Sequence, residues 1–143
     1  MLIGVPSILS PELLKTIMEM GHGEELVIGD GNFPAAGMAR RLIRADGHGV
    51  PELLRAILKF FPLDRFVERP VALMEVVPGD PSKPEIWRRY RELLEQAEPG
   101  FEDFEFVERF AFYDRARQAY AILATGEEAL YANIILKKGV VVD

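Results

Sequence analysis

In the run Glu19-Met20-Gly21-His22-Gly23-Glu24-Glu25 an imidazole stands between two glycines, and Asp30 follows within Gly29-Asp30-Gly31-Asn32. Histidine titrates near neutral pH and both gives and takes protons, while a carboxylate holds hydroxyl groups or orients an imidazole. The pair therefore suits acid–base chemistry on a small polar molecule. Both residues also have ordinary structural uses: a histidine between glycines caps a helix, and an aspartate after a strand makes a turn. Further along, Arg109 opens Arg109-Phe110-Ala111-Phe112-Tyr113, between an expected strand and an expected helix. It is either a cation at a strand end or half of a surface ion pair. Tyr131 and Asn133 alternate in Tyr131-Ala132-Asn133, so a strand there would put a phenol and an amide on one face; an ordinary edge strand would look the same. Phe33, Trp87, Phe110, Phe112 and Tyr120 could stack on a sugar ring, although aromatics in so small a chain belong mostly to the core.

Other chemistries are poorly supplied. The second histidine, His48, lies in a separate Asp46-Gly47-His48-Gly49 turn with no spaced His/Glu cluster, so no metal site is expected. The chain has no cysteine, which excludes a disulfide framework and thiolate catalysis and fits a reducing compartment. Its glycines form neither a Walker A loop nor a GxGxxG fingerprint, so nucleotide binding has no support. Acidic residues outnumber basic ones by 23 to 17, for a net charge of −6, which argues against nucleic acid and anionic membranes as partners. The opening Met1-Leu2-Ile3-Gly4-Val5-Pro6 lacks a charged leader region, and no apolar run approaches the length of a bilayer span. A soluble, cytoplasmic protein is expected.

The elements that must carry these side chains alternate between the two periodicities. Ser10-Pro11-Glu12 reads as a helix start, with Leu13, Leu14, Ile17 and Met18 on one face and Gly21 as the stop. Leu26-Val27-Ile28 is a short branched apolar run, a buried strand that delivers Asp30 to its carboxyl end, where ligands bind in α/β sheets. His22 shares that cleft only if the chain folds it back to the same end. Strands are also expected at Leu42–Ala45, Val71–Val77, Phe104–Val107, Tyr120–Ala124 and Asn133–Leu136, and helices at Pro51–Phe61, from Ile86 through Leu94, and at Phe112–Arg117. With 143 residues and no repeat, linker or composition shift, this predicts a single α/β domain spanning 1–143, with a mixed, largely parallel sheet.

Taken in order, several segments resemble the ribose pyranase/L-fucose mutarotase family, in particular its fucose branch. They are Ser10-Pro11-Glu12-Leu13-Leu14, Met20-Gly21-His22-Gly23, Asp30 with Phe33-Pro34-Ala35, Ile43-Arg44-Ala45-Asp46-Gly47, Arg109-Phe110-Ala111-Phe112-Tyr113, Thr125-Gly126-Glu127, and Tyr131-Ala132-Asn133 with its continuation to Val140. Gly31-Asn32 departs from the alanine-histidine pair associated with that branch. The resemblance implies a three-layer α/β/α fold, no cofactor or metal, and ring-shaped homo-oligomers, often decamers, with sites at subunit interfaces. It further implies a monosaccharide substrate, with His22 and Asp30 catalytic and with Asp30, Arg109, Tyr131 and Asn133 binding the sugar. The expected reaction is anomer exchange of L-fucose or a related sugar; the alternatives are D-ribose pyranase activity and non-catalytic sugar binding for a transporter or kinase.

Overall fold

The computed structural model describes residues 1–143. Its first helix, α1 (Pro11–Glu19), begins where Ser10 Oγ accepts the Leu13 amide at 3.1 Å, with proline in the first turn where no amide is needed. Strand β1 (Glu25–Gly29) is followed by the single-turn α2 (Ala35–Met38), β2 (Leu42–Ala45), α3 (Val50–Leu58), β3 (Val71–Met74) and α4 (Ile86–Ala97). The chain continues through β4 (Glu105–Val107), α5 (Arg109–Gln118), β5 (Ala121–Thr125) and β6 (Ile134–Lys137). Sequence reading missed only α2, because Pro34-Ala35-Ala36-Gly37-Met38 is too short to show a helical period.

The six strands form one sheet in the order β2-β5-β1-β6-β3-β4. The pairs β2–β5, β5–β1 and β3–β4 are parallel, whereas β6 runs antiparallel to both β1 and β3. Only residues 126–133 separate β5 from β6. A parallel return needs a crossover of a dozen or more residues, so the chain comes back reversed.

Alternate side chains of each strand enter two different cores, as the period of two requires. On one face Leu26, Ile28, Leu73, Leu123 and Ile134 pack against α1, α3 and α4; on the other Val27, Ala72, Ile122 and Ile135 pack against Phe112 and Ala116 of α5 and Ala35 of α2. The result is the expected three-layer α/β/α arrangement with a mixed sheet. No helix is long and apolar enough to cross a membrane.

Candidate active site

The antiparallel register of β6 decides which candidates meet. Ile28 pairs with Ile134 and Glu25 with Lys137, so the start of β6 lies beside the end of β1. There Asn133 Oδ1 accepts the Asp30 backbone amide at 2.8 Å, across 103 residues of sequence. Strands β1, β6, β3 and β4 are consecutive in the sheet, and β3 and β4 point the same way as β1. Asp30, the 131–133 segment, the loop after β3 and Arg109 at the first turn of α5 therefore line one edge.

Within this group, Asp30 Oδ1 accepts the Asn32 amide at 2.9 Å in a local turn. Its carboxyl pKa is raised, chiefly by burial and further by the charge of Glu127, against the pull of the Asn32, Phe33 and Ala132 backbone groups. Tyr131 is not on a strand. Its φ of 57° is in the left-handed region that non-glycine residues rarely occupy, and such strain collects at functional sites. Three contacts hold it: its hydroxyl donates to Asp80 Oδ2 at 2.6 Å and accepts the Val77 amide at 3.2 Å, and its carbonyl accepts the Trp87 indole N–H at 2.8 Å. The bond to Asp80 raises the phenol pKa. The next residue is fixed from below by the buried Tyr90, whose hydroxyl donates to the Ala132 carbonyl at 2.7 Å. Arg109 is exposed, forms no ion pair, and donates from Nε to the Tyr113 hydroxyl at 3.3 Å. It heads a helix instead of preceding one, because α5 starts three residues earlier than its apolar pattern suggests.

His22 lies at the other end. It precedes β1 whereas Asp30 follows it, and the five residues of that strand span roughly 16 Å at the rise of extended chain. The shared cleft therefore does not form within one chain, since His22 is not folded back. Gly23, with φ of 84°, turns the backbone into β1 and donates its amide to the Lys138 carbonyl at 2.8 Å. His22 Nε2 lies 3.0 Å from Asp64 Oδ1, and the Phe66 ring stands 5.3 Å from the imidazole. The histidine side chain is 45% exposed, its carboxylate partner only 4%.

Sequence reading missed Asp64, Asp80 and the indole bond of Trp87. Asp64 sits in Pro62-Leu63-Asp64-Arg65-Phe66, 42 positions from His22, and carries no local signal of that pairing. Of the aromatics considered for stacking, Phe33 and Phe112 are buried, Trp87 packs against Phe106, and Tyr120 lies under the Arg41 guanidinium; Phe110 is exposed next to Arg109. No group of three or more His, Asp or Glu side chains is arranged to hold a metal ion.

A mixed six-stranded α/β/α sheet with polar groups gathered at its strand ends makes a candidate small-molecule site of the strand-edge type. The chain belongs to the RbsD / FucU transport protein family, whose pattern it matches over residues 3–141. It is 51% identical over 140 residues to an L-fucose mutarotase of Actinobacillus pleuropneumoniae, covering 98% of this chain and 97% of that one. With the human fucose mutarotase it shares 49% over 143 residues, covering 96% and 92%. Among solved structures it superposes with a TM-score of 0.93 on the fucose mutarotase of Streptococcus pneumoniae in complex with L-fucose, at 51% identity over 99% of this chain and all of that one.

Proposed function

We propose that this protein is a cytoplasmic isomerase that interconverts the α and β anomers of L-fucose or a closely related unphosphorylated monosaccharide. The observation that carries the reading is the full-length likeness, 51% identity at a TM-score of 0.93, to a fucose mutarotase solved with L-fucose. The side chains present suit the chemistry. Ring opening removes the proton of the anomeric hydroxyl, breaks the bond between C1 and the ring oxygen, and delivers a proton to that oxygen. Rotation about the first carbon–carbon bond and the reverse steps give the other anomer, with no net change in atoms or electrons. His22 is the proton carrier, and Asp30, Arg109, Tyr131 and Asn133 hold the sugar hydroxyls.

One sugar cannot touch both ends of β1 in one chain, so the site is built between copies: His22 of one copy faces Asp30, Arg109, Tyr131 and Asn133 of its neighbour. A closed ring, in our reading a decamer, repeats that contact. Both halves carry exposed apolar side chains that such a contact would cover: Phe66 beside His22, and Phe110 and Leu130 beside Arg109 and Tyr131.

Magnetization-transfer NMR on L-fucose, D-ribose and D-galactose tests the reading. The expected result is catalysed exchange between anomer signals, faster for L-fucose than for ribose; contact with one methyl group is worth only ~1–3 kcal/mol, so the preference is clear but not absolute. Line broadening without exchange would identify a sugar binder, and faster ribose interconversion a pyranase.

A further inference from the structure

The Tyr131 phenol is gripped by the two ends of one turn. Strand β3 leads into Val77-Pro78-Gly79-Asp80, where Asp80 donates its amide to the Val77 carbonyl at 3.0 Å and Gly79 has φ of 90°. Proline second and a left-handed glycine third make this a type II turn. The Asp80 side chain is fixed as well: Oδ1 accepts the Ser82 amide at 2.8 Å, which leaves Oδ2 to face the phenol at 2.6 Å. Val77 supplies the opposite kind of group, since its amide donates to the same phenol oxygen at 3.2 Å. Separately, the Trp87 indole N–H holds the Tyr131 carbonyl, so the backbone and the ring of this residue have independent anchors.

Counting donors and acceptors gives the phenol a direction. Hydrogen bonds from Ser82 and from the Tyr131 hydroxyl hold the Asp80 carboxyl below its usual range. An ionised carboxylate only accepts hydrogen bonds, and a phenol has one proton and two lone pairs. The Tyr131 proton therefore goes to Asp80, and the Val77 amide occupies one lone pair. Only the other lone pair is left for a ligand. The Arg109 guanidinium, whose charge reaches the phenol, can only donate. These two neighbouring side chains thus offer a sugar opposite polarities, a donor from Arg109 and an acceptor from Tyr131.

We propose that Asp80 is a positioning residue of the sugar site: by taking the Tyr131 proton it commits the phenol oxygen to accept, so the pocket selects a sugar hydroxyl that donates at that place. This inference rests on Tyr131 touching the sugar, and the test keeps the two apart.

Asp80→Asn is nearly isosteric and lies on an exposed turn, so the fold is kept. Its oxygen stays with the Ser82 amide, while its NH2 group donates to the phenol oxygen and the phenol proton turns toward the ligand. The KM for L-fucose in anomer exchange should rise about 3–10-fold, the worth of one neutral hydrogen bond, with little change in kcat. Tyr131→Phe should raise KM by a similar factor. Adding Asp80→Asn to Tyr131→Phe should change nothing further, because Asp80 acts through the hydroxyl. With tyrosine labelled with carbon-13 at Cζ, the Tyr131 phenol should titrate above the ordinary tyrosine value in the wild type and lower in Asp80→Asn. A wild-type phenol that titrates at or below that value would overturn the proposal without any variant. A wild-type KM in Asp80→Asn, or its full effect persisting in the Tyr131→Phe background, would remove the role of Asp80 and leave that of Tyr131. A wild-type KM in Tyr131→Phe would end both.

Discussion

At the scale of single residues, the two candidate catalytic groups differ in how they are bound to the fold. His22 is a half-exposed loop side chain with one polar partner, so its removal leaves little to repack. His22→Ala is expected to fold normally and to lose ~10²–10⁴-fold in catalysed exchange, the usual contribution of a positioned acid–base group. Full activity in a well-folded variant would refute the assignment. Asp30 is different because the fold works against its charge: its pKa is raised, mainly by burial. A carboxyl with a raised folded pKa binds protons more tightly in the native state, so its contribution to stability falls as pH rises through the folded pKa and recovers as pH drops toward 3.8. Asp30→Asn keeps the acceptor for the Asn32 amide and deletes the charge. Thermal melts should show a higher Tm at pH 7 and a steeper loss of stability in acid, and titration calorimetry should show L-fucose binding lost. A lower Tm at pH 7 would contradict this account of the burial.

At the scale of elements, the site depends on segments that are neither helix nor strand but are clamped by them. The 131–133 segment is held by the Tyr90 hydroxyl, the Trp87 indole and Asp80, all from α4 or the loop leading to it. The 62–64 segment is held by the continuation of β6 across Gly139. Replacing that glycine by alanine forces the two backbones apart, an overpacking that costs about 1–3 kcal/mol. Gly139→Ala should therefore lower stability in urea melts and also slow anomer exchange, because Asp64 moves with Leu63. A variant destabilised to that extent but fully active would show that the Asp64 segment tolerates displacement.

At the scale of the whole molecule, the sheet puts His22 and the group around Asp30 and Asn133 at opposite ends of β1, and under the proposed function activity is a property of the assembly. His22→Ala and Tyr131→Ala should each be nearly inactive alone, yet co-refolded mixtures should recover exchange wherever an intact Tyr131 meets an intact His22. Random equal mixing restores roughly a quarter of the sites when each interface holds one. Light scattering should show a single species well above the 16.1 kDa of one chain. Proven subunit mixing without recovered activity, or an active monomer, would defeat the shared-site reading.

Ten of the eleven helices and strands were legible in the sequence, because each rests on a local pattern: the Ser10-Pro11 start of α1, the branched run of β1, the helical spacing from Ile86 to Leu94. The candidate side chains His22, Asp30, Arg109, Tyr131 and Asn133 were legible as well, as residue types set among glycines or at expected strand ends. Their grouping was not. Asn133 reaches Asp30 across 103 residues and Asp64 reaches His22 across 42, and both meetings follow from the strand order and the reversed direction of β6. Strand pairing is a choice among distant partners made by burial of both sheet faces at once, and no window of sequence contains it. For the same reason the sequence left open whether His22 and Asp30 share a cleft; the tertiary structure separates them by the length of β1, since an extended strand cannot bring its two ends together.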